Sequence, residues 1–133
     1  MKKQKAKEPP VSTHHELVQC DLEFHRFQKE LELLELKELQ ELNRCLDKIE
    51  QMTWAQILAT SSKQGKRGLN WEPIANQKTK SGSTIASIRI TQKFRARVTR
   101  DGVYMRFISL HPDHDSTYSE FGGERIPEEM KLR

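Results

Sequence analysis

The segment LHPDHDSTY, residues 110–118, places His111 and His114 three residues apart, with Tyr118 four residues further on. Histidine is the side chain whose ordinary pKa lets it give or take a proton near neutrality, so either imidazole can serve as a general acid or base beside an aromatic. Just upstream, Arg89, Lys93, Arg95 and Arg97 lie in RITQKFRAR, with Arg106 beyond. Where side chains alternate with period two, Lys93, Arg95 and Arg97 leave a strand on one face. A row of fixed cations of that kind stabilises charge developing on a phosphate. Two other readings stand beside this one. His111 and His114 with Asp113 and Asp115 have the types of a metal site, but no remote third ligand suggests itself, because His25 borders an apolar stripe and His14-His15 adjoin the N-terminal tail. The segment also fits an ordinary surface loop.

The chain has 133 residues, enough for one domain and one modest core. Its charge is polarised. Residues 1–15 carry four Lys against Glu8, residues 16–50 five basic against ten acidic side chains, and residues 60–107 eleven basic against Glu72 and Asp101. That last excess implies a polyanionic partner, with a merely solubilising surface as the alternative. No apolar run approaches the ~20 residues of a membrane span, and no h-region follows the N-terminal lysines. Two cysteines cannot form a disulfide framework or a zinc cluster by themselves. The expectation is a soluble cytoplasmic protein without cofactor. Walker, GxGxxG, GxSxG and HExxH motifs are absent from the sequence. Cys20, Cys45, Trp54 and Trp71 read as packing residues.

The elements that must hold these residues follow from periodicity. MKKQKAKEPPVS is polar and basic, so residues 1–13 are expected to be a disordered tail, 14–118 a single α+β domain and 119–133 a second tail. Leu17, Cys20, Phe24, Phe27, Leu31 and Leu34 follow 3-4-3-4-3 spacing, and Leu39, Leu42, Leu46 and Ile49 repeat it. This predicts a helical hairpin with its corner near Leu36-Lys37, or a long helix whose stripe slips. Thr53 and Gln56 have the form of a capping box ahead of a short helix at 54–59. A basic loop with Lys66 and Arg67 follows, then an edge strand near Leu69–Ile74 that tolerates Pro73.

From Ser83 the period is two, predicting strands at 85–90, 93–100 and 103–110. Asp101-Gly102 is expected to close the last two as a type I′ hairpin. That register faces Arg97 with Arg106 and buries Phe94, Ala96, Val98, Met105 and Phe107. Arg95, Arg97 and Arg106 share the other face, joined by Arg89 where parity is kept. Opposed like charges destabilise a sheet unless something negative lies against them. The whole reads as an N-terminal helical hairpin packed on a small antiparallel sheet.

SIRITQKFRARVTRDGVYMRFISLHPDHDSTY, preceded by two helices and a basic loop, resembles the toxins of the RelE/ParE superfamily of bacterial toxin–antitoxin pairs over about residues 50–118. The resemblance implies a RelE-like domain whose concave sheet face binds RNA, and a metal-independent endoribonuclease acting on mRNA in the ribosome. It implies a cognate antitoxin protein as a further partner. Arg95 takes the place of the arginine at the scissile phosphate, Arg89 a basic position on the preceding strand, and His114, or His111, with Tyr118 the terminal acid/base and aromatic. Lys93, Arg97, Arg106, Lys66 and Arg67 are then expected to contact RNA. One branch of the superfamily inhibits DNA gyrase instead, so a non-catalytic nucleic-acid-binding protein on the same fold is the alternative. A helical adaptor dimerising through Leu17–Ile49 is a third reading, which leaves the arginine face without a purpose.

Overall fold

The computed structural model describes residues 13–59 and 68–112. After a 3-10 turn at Thr13–His15 come β1 (Gln19–Asp21), α1 (His25–Leu31), α2 (Leu36–Ile49) and α3 (Trp54–Ala59). Four strands complete the fold: β2 (Glu72–Lys78), β3 (Thr84–Arg89), β4 (Arg95–Asp101) and β5 (Tyr104–His111). The five strands form one sheet in the order β1-β5-β4-β3-β2. Among the described residues the architecture is α+β, with three helices and a mixed sheet.

Helices begin and end where local chemistry dictates. The Glu35 N–H donates to the Glu38 carboxylate at 2.9 Å, and the Glu35 side chain in turn accepts from the backbone of Glu38, a reciprocal cap for α2. Carboxylates at this end and Lys48 in the last turn complement the helix dipole. Leu42, Cys45 and Ile49 form its buried stripe. The predicted box before α3 is present, with Gln56 accepting from the Thr53 N–H and Thr53 accepting from the Gln56 N–H. No Gly or Pro ends α1; the chain tightens instead through 3-10 bonds, Leu33 N–H to Glu30 and Leu34 N–H to Leu31. The corner thus falls at residues 32–35.

Three expectations need correction. The stripe from Leu17 to Leu34 is not one helix, because α1 occupies only seven of those residues. Its first part is β1, drawn out of the helix by long-range bonds: Val18 N–H to the Met52 carbonyl, Gln19 N–H to Val103 and Cys20 N–H to Glu50 Oε2. The sheet is therefore not wholly antiparallel, since β1 pairs in parallel with β5, Gln19 to Tyr104 and Asp21 to Arg106. The hairpin loop is Gly102-Val103 rather than Asp101-Gly102, because Asp101 pairs with Tyr104. Gly102 has φ +63° and Val103 is not left-handed, the pattern of a type II′ turn, which needs glycine at its first central position.

The turn moves the register by two residues and so keeps every side chain on its face. Val98 pairs with Phe107 and Thr99 with Arg106; Arg97 does not oppose Arg106. A second irregularity follows. Between Arg97 and Val98 the register shifts, so that Arg97 pairs with Ser109, Ala96 with Leu110 and Arg95 with His111. The additional residue on β5 is Ile108, a β-bulge. Phe94, Ala96, Val98, Met105 and Phe107 are buried as expected. Phe107 meets Phe27 of α1 with ring centroids 5.6 Å apart, and Trp54 meets Trp71 edge-on at 5.2 Å. Both tryptophans pack, and Trp54 Nε1 also donates to the Val103 carbonyl.

Candidate anion-binding face

Cross-strand partners share a face, so the pairings assemble three rows on the side of the sheet opposite Val98 and Phe107. Arg89, Arg95 and His111 form the first, across β3, β4 and β5. Ser87, Arg97 and Ser109 form the second. The third runs Ile85, Thr99, Arg106 and Asp21. The bulge at Ile108 composes the first two rows. Without it, simple alternation from Met105 and Phe107 would send Ser109 and His111 toward the core and Leu110 outward.

The first row has a feature that a solvated surface does not explain. Arg89 Nη2 and Arg95 Nε are enclosed and have no hydrogen-bond partner. Arg95 Nη2 reaches the Gln92 carbonyl at 3.5 Å, a long contact. Enclosed donors on a cation lose water without replacement, which costs about 1–3 kcal/mol each or more. In the second row Arg97 is buried and donates to Gln77 Oε1 at 3.4 Å. Ser109 and His111 are buried as well, with Ser109 Oγ 2.7 Å from His111 Nε2.

Arg106 behaves differently. It contacts Asp21 Oδ2 at 2.8 Å and Asp101 Oδ2 at 3.0 Å. The hydrogen bond to Asp21 is the main cause holding its guanidinium above the ordinary arginine range. Asp21 is the acidic neighbour that the sequence did not place, because it lies on the unforeseen strand β1. The carboxylates make this end of the face closer to neutral, and the positive character concentrates at the Arg89–Arg95 end.

The other expected residues fall as follows. Lys93 is exposed in the turn before β4, beside an open cavity of about 420 Å³ lined also by Glu35, Glu38 and Glu41, whose carboxylates oppose a phosphate there. Lys66, Arg67, His114 and Tyr118 lie outside the described residues, as do residues 1–12 and 119–133 of the two expected tails. Among the described residues no group of three or more His, Cys, Asp or Glu is placed to hold a metal, and no helix is long and apolar enough to cross a membrane. Ser109 was missed by sequence reasoning, since strict alternation placed it on the core face. Burial keeps both thiols protonated, raising Cys45 to about 11 and Cys20 further still, the latter also through the Glu50 carboxylate and Cys45.

The sequence matches no protein-family model and no curated protein, and the fold matches no solved structure. The functional reading therefore rests on the rows themselves.

Proposed function

We propose that the protein is a metal-independent endoribonuclease toxin of the RelE/ParE kind, cleaving mRNA in the ribosome and controlled by a cognate antitoxin protein. The observation that carries the reading is the first row: two guanidiniums with enclosed, unpartnered N–H groups standing in register with a histidine. Oriented donors of fixed positive charge are what an oxyanion requires, and the stabilisation grows as charge develops on it. In the reaction, the ribose 2′-oxygen attacks the adjacent phosphorus, its proton passing to a base. The bond to the 5′-oxygen breaks, and an acid protonates that leaving group. Arg95 and Arg89 hold the phosphorane oxygens, and the His111–Tyr118 segment supplies proton transfer.

A second reading has its own support. His111 is only 4% exposed, which suits a face that binds nucleic acid or inhibits gyrase without cutting. Primer extension on a translated message after brief expression tests the two. The nuclease reading expects cleavage by the parent that survives a chelator, is lost in Arg95→Ala, and is lost in one of His111→Ala or His114→Ala. Growth inhibition with no cleavage by the parent transfers the function to binding. Cleavage abolished by the chelator refutes the metal-independent chemistry.

A further inference from the structure

We infer that α2 carries a second phosphate site, a cavity where Arg44 and Lys48 meet the end of β3, and that this site takes the phosphodiester next to the one held by the first row. The first row is the terminal row of the sheet: Arg89 ends β3, Arg95 opens β4 and His111 ends β5. The helix α2 passes that end, since two cavities join its residues to the segment from Arg89 to Phe94. One is the acidic cavity beside Lys93. The other, of about 160 Å³, is lined by Arg44, Lys48, Arg89 and Thr91, and among the described residues Glu41 is its one acid. Three cations thus meet one carboxylate, which Lys37 Nζ also approaches at 4.0 Å. At ~30 Å³ per water the space holds about five, which suits a single oxyanion and not a base with its sugar.

The donors are in place for such an anion. Arg44 and Lys48 are one turn apart, so both side chains leave α2 on the same flank, exposed on either side of the buried Cys45. Arg44 has no hydrogen bond or ion pair among the described residues. Burial raises the Cys45 thiol and the Lys48 charge draws it back, so that charge is felt at the cavity wall that Cys45 forms. The Thr91 hydroxyl accepts from the Phe94 N–H at 3.2 Å, which leaves its own proton to donate. Arg89 is half-buried, and its Nη2 is enclosed without an acceptor. Turning that group to an oxygen in the cavity recovers the hydrogen bond it lacks, and a charged acceptor makes the bond a strong one. A guanidinium presents donors along more than one edge, so Arg89 serves the first row and the cavity together. Two phosphates that share one arginine are consecutive phosphates of a strand. Contacts of this kind set the register of the strand without reading its bases.

The cavity stands on geometry, whereas its occupant rests on the RNA reading of the face. The test separates them. Full-length protein is titrated with a short, uncleavable 2′-O-methyl oligouridylate, and fluorescence anisotropy is followed over a series of salt concentrations. Arg44→Ala should weaken binding about three- to tenfold and reduce the log–log salt slope by about 0.7, the increment of one phosphate. Arg44→Lys should restore the slope, and Lys29→Ala, an exposed lysine of α1, should leave it unchanged. In the cleavage assay Arg44→Ala should raise KM by the same factor and spare kcat, because it grips substrate and transition state alike, whereas Arg95→Ala should lower kcat. A slope reduced by Arg95→Ala but not by Arg44→Ala overturns the inference and leaves the first row standing. Inorganic phosphate supplies the second arm, read as shifts of the Arg44 and Thr91 amide signals against chloride of equal ionic strength. Such shifts in a protein whose RNA slope ignores Arg44→Ala make the cavity a site for free phosphate and overturn its assignment to a strand. Such shifts in a protein that binds no RNA overturn the strand and the nuclease, leaving an anion site alone. No response to either probe overturns the cavity and the proposed function together.

Discussion

Replacing Asp21 by Asn tests how the face is electrostatically divided. Asp21 meets Arg106 at 2.8 Å, with the two side chains 18% and 24% exposed. Fully exposed pairs contribute about 0.2–1 kcal/mol, and breaking a buried one costs about 3–5. This pair lies between those limits, Arg106 keeps Asp101 at 3.0 Å, and asparagine still offers a carbonyl acceptor. A loss of about 1–2 kcal/mol follows after allowance for solvent screening. With an unfolding entropy of ~2.1 cal/mol/K per residue, taken over the roughly 90 described residues, Tm should fall by about 5–10 °C, readable by thermal circular dichroism. The same change releases positive charge beside Thr99 and Arg97. If the face binds single-stranded RNA, the log–log salt slope should steepen by about 0.7, the increment of one further phosphate contact. An unchanged Tm would show the pair to be screened by water and the partition of the face unreal. A lower Tm with an unchanged slope would confine Arg106 to holding β1 against β5.

Phe107→Ala removes the aromatic that meets Phe27 at 5.6 Å in the core and should cost about 3–5 kcal/mol in urea unfolding; a loss under ~1 kcal/mol would contradict the packing described. Arg95→Ala should leave stability unchanged or slightly raised, because it removes an enclosed unpartnered donor, while weakening RNA binding in filter assays. A marked destabilisation would mean that the guanidinium already has its partner within the fold. Stability should fall in alkali, because Cys45 is raised from 9.0 to about 11 on folding: the contribution is complete below about pH 9 and lost as pH climbs through 11. The full effect is on the order of 2–3 kcal/mol, and Cys45→Ala should flatten the decline in Tm over that range.

Much of the sheet is legible in the chain. The alternation of Phe94, Ala96, Val98, Met105 and Phe107 assigns the buried face correctly, and a two-residue slip at the turn does not disturb it, since side chains repeat every two residues. What escapes is local in length and long-range in cause. Gln19–Asp21 has three residues and no β-branched member, so nothing but its partner β5 makes it a strand. The spacing of Cys20, Phe24 and Phe27 fits a helix equally well. The Ile108 bulge does leave a mark, which a strict period of two passes over: in MRFISLH the adjacent apolar pair Phe107-Ile108 changes the phase of the alternation at the point where the register of β4 and β5 shifts. Arginine content announced the face, but Ser109 and His111 reach it only through that shift.

The union of β1 with β5 bears on when the molecule can become whole. Arg106 and Asp21 are 85 residues apart, and the Thr13 hydroxyl closes on the Gly102 carbonyl across 89. At 5–20 residues per second, synthesis puts roughly 4–17 s between the emergence of the first partner and the second. Throughout that interval α1 lacks Phe107 and the first row lacks its histidine, whereas β4, complete only at Asp101, waits for its outer neighbour just while the chain grows on to His111. Loop closure over such separations also slows folding relative to hairpins formed between neighbours. The nascent chain therefore passes through a stage in which its helices and β2–β4 exist without the face they serve. The edge of β4 is uncovered in synthesis only for the last part of that stage, roughly 0.5–2 s at the same rate.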